Sequence, residues 1–422
     1  MTKKHTFFIT LALMYLGVNF SCNAQPNSST VEKTVEISET PIRTGADRSE
    51  LYLPLLKEKK VGILTNQSGN VFITTKSVIS NDSIACKLTI EQKSQSLVDF
   101  LLEKGVSVQK VYAPEHGFRG TADAGELIKD GKDTKTGLPI ISLYGNNKKP
   151  TEKHLENIDV MLFDLQDVGV RFYTYISSLH YLMEACAEQN IPVIVLDRPN
   201  PIGSKIDEPI LDMNYKSFVG MHPIPVLHGM TIGEYAQMIN GEKWLKNSIQ
   251  CDLTVIPCEN YTKNKKYSLP VKPSPNLPND QSIQLYASLC FFEGTNVSVG
   301  RGTSTQFQVY GSPFLKNMPY KFTPQPNEGA KSPMHQGKVC YGEDLTQYDK
   351  QPGLDLQWVI KAYKHTSDKK VFFNKFFNTL AGSGVLRKQI EQNLSEKEIK
   401  KSWEKGLEDF EKTRKKYLIY EE

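Results

Sequence analysis

The stretch IDVMLFDLQDVGVRFYTYISSLHYLMEACAEQNIPVIVLDRPNP, residues 158–201, sets the fold class. Val160-Met161-Leu162-Phe163 is a short apolar run closed by Asp164. Residues 176–189 then place apolar side chains at helical spacing. Val193-Ile194-Val195-Leu196 is a second apolar run, closed by Asp197. Uniformly apolar strands joined through a helix belong in a parallel sheet covered on both faces.

The same alternation extends outward in both directions. Upstream, residues 61–65, 106–113 and 138–143 read as strands and 94–104 as a helix carrying Leu97, Phe100 and Leu101 on one side. Downstream, Thr231 and Glu234 form a capping box opening a helix to about residue 240, and residues 253–257 read as a strand. The expected fold is therefore α/β, with a Rossmann-like parallel sheet over residues 45–262. Such sheets bind ligands beyond the carboxyl ends of their strands. Asn66, Glu115, Asp164 and Asp197 each follow such an end. Residues 263–281 change texture, with Pro270, Pro273, Pro275 and Pro278. Beyond them, strands near 297–299 and 307–309 and helices over 354–364 and 396–417 predict a smaller α+β domain, residues 263–422.

Composition is that of an ordinary globular protein, with 39% hydrophobic and 23% charged residues. The formal net charge of +4 is small for 422 residues and argues against a nucleic-acid partner. The basic run 412–416 alternates with Glu408, Asp409 and Glu411, as a solvated helix face does. Lys3, Lys4 and His5 precede an apolar run over residues 7–18, which fits the core of an export signal. Cleavage after Ala24 and lipidation of Cys22 both fit, so the expected location is the periplasm or a lipid anchor at the outer membrane. Residues 25–44 read as a tether, rich in Ser, Thr, Asn and Glu toward its start. No CxxC pair occurs among Cys86, Cys186, Cys251, Cys258, Cys290 and Cys340, and buried free thiols are expected.

The densest chemistry lies in Ala113-Pro114-Glu115-His116-Gly117-Phe118-Arg119-Gly120, where an acid, an imidazole and a guanidinium share one glycine-flanked strand end. Glu115 there suits a general acid, and Glu126 follows in the next loop. Asp164 and Asp167 precede Arg171, Tyr173 and Tyr175, and rings beside carboxylates suit sugars, whose C–H faces stack while hydroxyls take hydrogen bonds. Glu293 and Arg301 form a last cluster, with Arg301 between glycines as a donor for an anionic ligand. His222 and His228 have no carboxylate at a recognised metal-ligand offset, so no metal site is expected. Asn66-Gln67-Ser68-Gly69 lacks the Gly-x-Gly-x-x-Gly turn of a dinucleotide site, and no cofactor is expected.

VGILTNQSG (61–69), APEHGFRG with DAGE (113–126), FDLQDVGVRFYTY (163–175), DRPNP (197–201), PSPNLP (273–278) and FEGTNVSVGRGT (292–303) occur in that order. Together they resemble the exo-β-N-acetylmuramidase family over roughly residues 45–420. The resemblance implies a Rossmann-like domain followed by a smaller domain that closes over the site. It also implies hydrolysis of the β-1,4 bond after a non-reducing terminal N-acetylmuramic acid in peptidoglycan fragments. It places the key glutamate on Glu115, with Glu126, Asp164 and Glu293 open as the second carboxylate. Arg119, Arg171 and Arg301 are open as the cation for the lactyl carboxylate of muramic acid. Asn66, His116 and Tyr173 complete the expected sugar contacts. One departure is visible: where members often carry a Glu-Gly-Pro turn, this chain has Asp207-Glu208-Pro209. A binding lipoprotein that captures muropeptides without cleaving them has the same expected fold and pocket.

Overall fold

The computed structural model describes residues 40–81, 85–115, 117–119, 130–349 and 353–422. His116, Glu126, the signal region and most of the tether lie outside these residues. Residues 41–422 form one compact unit.

The strands in chain order are β1 (Lys60–Thr65), β2 (Asn70–Asn81), β3 (Ala85–Ser96), β4 (Ser107–Ala113), β5 (Gly131–Lys132), β6 (Pro139–Ser142) and β7 (Val160–Asp164). They continue with β8 (Val193–Leu196), β9 (Ile206–Asp207), β10 (Leu227–His228), β11 (Leu253–Ile256), β12 (Val309–Ser312), β13 (Tyr320–Phe322) and β14 (Cys340–Asp344). The central sheet runs β11-β8-β7-β1-β4-β6-β5. Its pairs are parallel except β5 with β6. From β6 across to β11 the parallel strands are the third, second, first, fourth, fifth and sixth in chain order, the doubly wound Rossmann-like arrangement.

Strand side chains alternate between faces, and both faces are covered, which is why the runs are continuously apolar. Val160 and Leu162 of β7, with Ile194 and Leu196 of β8, enter a core shared with Leu97, Val98 and Leu101. Met161, Phe163, Val193 and Val195 enter the opposite core, against the helix Tyr175–Glu188. That second core runs on without a break to Tyr286, Phe291, Phe307, Trp358 and Phe377, so the later residues share it with the sheet. These later residues include the antiparallel sheet β12-β14-β13 and several short helices.

Several expectations shift in detail. The helix expected over 94–104 spans Leu97–Glu103, because its first residues end β3. The antiparallel pair β2 and β3 was not among the expected strands, although Cys86, Leu88 and Ile90 alternate with Lys87, Thr89 and Glu91 in the sequence of β3. Positive φ at Gly300 and Gly302 turns the chain before residues 307–309, so only Val309 of that expected strand lies in β12. The helix expected over 396–417 divides into Glu396–Lys401, Glu404–Arg414 and a 3-10 turn Lys415–Tyr417. Its break coincides with Trp403, which turns into the core. Within the basic run Arg414 is buried and donates to the Gly229 carbonyl at 2.8 Å, unlike its solvated neighbours Lys412 and Lys415. Residues 41–44, read as the end of the tether, join the compact unit: Arg43 pairs with Glu259 at 2.7 Å. Glu208, at the departing turn, adopts φ 78°, a left-handed backbone that favours glycine. Cys186, Cys251, Cys258, Cys290 and Cys340 are buried free thiols.

Candidate active site

The point where strand order reverses lies between β1 and β7, and it is filled from within. Asp164, at the end of β7, is fully buried and receives both a 2.6 Å bond from Arg198 Nε and a 3.0 Å bond from Nη2. Any Cβ on Gly69 would fall 1.9 Å from Thr65 Oγ1 and 2.9 Å from Asp164 Oδ2. The ligand cavity is instead displaced toward the β4 and β7 loops. It has a volume of about 740 Å3, within the ordinary range for small-ligand sites. Segments following β4, β6 and β7 form one wall, and residues beyond 270 form the other.

Glu115 lies in this cavity, just past β4. Tyr144 donates its hydroxyl to Oε1 and Thr174 donates to Oε2, each at 3.0 Å. Tyr144 follows β6, and Thr174 precedes the helix Tyr175–Glu188, so three separate elements fix one carboxylate. Burial, and then the adjoining Glu115 charge, raise the Tyr144 hydroxyl above its ordinary pKa and keep it a donor.

Across the cavity Arg301 grips Glu293, with Nη2 at 2.6 Å and Nε at 3.1 Å from Oε1. Burial pulls the Arg301 pKa down, and the neighbouring Glu293 carboxylate more than offsets it. The guanidinium also lies 5.1 Å from the Phe307 ring centre. The same cavity has an aromatic lining. Tyr286 meets Phe172 at 5.6 Å and Phe307 at 5.0 Å, both edge to face. Tyr173 packs edge-on against Tyr175 at 4.8 Å and donates to the Pro273 carbonyl at 2.9 Å. Carboxylates over packed rings form a surface that can stack a sugar face and bond its hydroxyls.

Other expected site residues lie elsewhere. Arg171 is fully buried and donates to the carbonyls of Pro209, Ile224 and Leu380, stitching distant segments together. Arg119 pairs with Asp133 at 2.7 Å and lines a separate surface hollow with Asn66. Asn66 is buried but touches the cavity indirectly, donating to the Tyr175 hydroxyl at 2.5 Å. Asp164 is sealed by Arg198, as described above. Asp197 is likewise enclosed, accepting from Thr231 Oγ1, the Gly233 N–H and the Tyr420 hydroxyl. Burial raises its pKa to about 6 despite those donors. Of the expected residues among those described, the structure thus brings Glu115, Tyr173, Glu293 and Arg301 together.

His222 lies in the core rather than in the cavity. It bonds Tyr235 at 2.8 Å and His180 at 2.9 Å inside the core. Burial lowers the pKa of both histidines; for His180, to about 4, although Glu184 opposes the shift. Unfolded histidine takes up its proton near pH 6.5, whereas these take it up only at lower pH. Their contribution is therefore present above that value and lost as pH falls toward 4, by at most roughly 1.4 kcal/mol per pH unit for each histidine. Urea unfolding at pH 7.5 and 5 measures the slope, which should flatten in His180→Gln.

Family models described as exo-beta-N-acetylmuramidase NamZ, N-terminal and C-terminal, match residues 61–281 and 284–420. The chain belongs to this NamZ family. It is 39% identical to the peptidoglycan beta-N-acetylmuramidase NamZ of Bacillus subtilis (strain 168), over 99% of this chain and 100% of that protein. The crystal structure of a DUF1343 family protein from Bacteroides fragilis NCTC 9343 matches with TM-score 0.79 and 44% identity, covering 91% of this chain and 100% of that one. A second such protein from the same organism matches with TM-score 0.70 and 28% identity, covering 90% and 99%.

In this NamZ-family chain the sequence reading missed several cavity residues. Tyr144 obeys the strand-end rule and was open to it, because it closely follows β6. Ser274 and Asn276 lie inside the PSPNLP string without a chemical signal of their own. Residues 329–334 and Phe376 reach the cavity only through tertiary packing.

Proposed function

We propose that this chain is an exo-acting glycoside hydrolase that releases non-reducing terminal N-acetylmuramic acid from β-1,4-linked peptidoglycan fragments. The observation that carries the reading is one cavity holding Glu115, the Glu293–Arg301 pair and an aromatic floor, in a member of the NamZ family. Glu115 acts as the acid that protonates the leaving oxygen, held in aim by Tyr144 and Thr174. As that bond breaks, positive charge grows at the anomeric carbon. Glu293, or the substrate's own 2-acetamido oxygen, stabilises it until a water molecule adds its oxygen to that carbon and returns a proton to Glu115. Arg301 is the cation among the three expected arginines that lines the cavity, and it binds the lactyl carboxylate. The apolar run at residues 7–18 supports export, with Cys22 as the proposed lipid attachment.

End-group dependence tests the exo character. Fragments ending in N-acetylmuramic acid should release it, and the same fragments capped with N-acetylglucosamine should not. Release from capped fragments would mean internal cleavage. Arg301→Gln should weaken muramyl substrates about 10- to 100-fold, the scale of one charge-assisted hydrogen bond. N-acetylglucosaminyl analogues should lose far less, and equal losses in kcat/KM would remove Arg301 from this role.

A further inference from the structure

The cavity grades from a dry floor to an open rim. Phe172, Tyr173, Leu277, Tyr286 and Phe307 are buried, whereas Met334 is 40% and Phe376 is 39% exposed. Phe376 opens the short helix Phe376–Ala381 next to Phe377, which is fully buried. Phe377 anchors that helix: its ring packs on Phe373 at 4.4 Å and Phe291 at 6.0 Å. Its backbone lies so close to Gly294 that any Cβ there would approach Phe377 Cα at 2.4 Å.

Asn374 ties the same helix start to the acid beside it. Its N–H donates to the Gly294 carbonyl at 2.9 Å, and its Nδ2 donates to the Glu293 carbonyl at 3.3 Å. Its Oδ1 accepts from the Phe376 N–H at 2.8 Å. The Phe376 backbone is thus bolted to the segment carrying Glu293, while its ring is left at the cavity rim. An exposed phenyl ring forgoes much of the free energy its burial would supply. Here the backbone that carries it is tied down on a wall of the reaction cavity.

An exo-acting hydrolase seats the terminal sugar deepest, so the sugar being released from it lies toward the mouth. This inference rests on the hydrolase reading. We propose that Phe376 is the platform on which the apolar face of the leaving sugar stacks, and so sets specificity on that side of the scissile bond. A pyranose presents several C–H groups on one face, and a fixed ring meets them with little entropy loss.

The test compares N-acetylmuramyl-β-1,4-N-acetylglucosamine with methyl β-N-acetylmuraminide, whose leaving group is too small to stack. Phe376→Ala should raise KM for the disaccharide about tenfold, with kcat within about twofold. On the methyl glycoside its kcat/KM should stay within about twofold of wild type. Phe376→Trp should restore the disaccharide KM, which a purely structural role would not explain. Equal losses on both substrates, or no loss on the disaccharide, would overturn the platform while leaving the hydrolase reading intact. A wild type inert on both substrates would remove the hydrolase reading and this inference with it.

Discussion

Glu115→Gln is expected to abolish turnover of N-acetylmuramyl disaccharide while retaining its binding. The amide matches the carboxylate in shape, so the cavity keeps its form. Its oxygen still accepts from one of the Tyr144 and Thr174 hydroxyls, and its NH2 donates to the other, since hydroxyl oxygens accept as well. The proton for the leaving oxygen is what disappears. Loss of a positioned acid costs about 10²- to 10⁴-fold in rate. Product release gives the rate, and calorimetric titration of the variant with intact disaccharide gives the affinity. Affinity within about threefold of wild type with rate gone supports the assignment. A rate preserved in the variant would move the acid elsewhere, with Glu293 next in line.

Arg198→Met is the substitution expected to cost most in stability. Asp164 would keep its place at the end of β7, fully buried, with no cation against it. Burial already raises the Asp164 pKa, and Arg198 is what opposes it. Removing one partner of a buried ion pair typically costs about 3–5 kcal/mol. Urea unfolding of the variant should show that loss. The double variant Arg198→Met/Asp164→Leu should recover most of it, because no lone charge then remains. A single variant as stable as wild type would show that water reaches this pair.

The parallel sheet was legible because strands buried on both faces must be apolar at every position, as Val193–Leu196 is. The β2 and β3 pair was missed: β3 does alternate at Cys86, Leu88 and Ile90, but its partner β2 mixes Thr, Lys and Ser without that period, so no hairpin stood out. The strand-end rule located Glu115, but it selected Asp164 and Asp197 equally. Sidedness says that a carboxylate lies at the right edge of the sheet. It does not say whether Arg198 or Tyr420 has already occupied it. Arg171 shows the same ambiguity, since a guanidinium suited to an anion bonds backbone carbonyls just as well. The far wall could not be read locally: Phe376 reaches the cavity through Asn374, which bonds its N–H, and Gly294, 82 positions before it.

The most direct measurement is release of aglycone from a chromogenic N-acetylmuramic acid β-glycoside by purified, folded wild-type protein, with Glu115→Gln in parallel. The predicted result is release of free N-acetylmuramic acid by the wild type from this substrate and from muramyl disaccharide, with the disaccharide reaction lost in the variant, because the sugar leaving group is the one that needs the proton. A folded wild type that binds muramyl sugars but releases nothing, from this substrate or from muramyl disaccharide, would contradict the account and leave a binding protein.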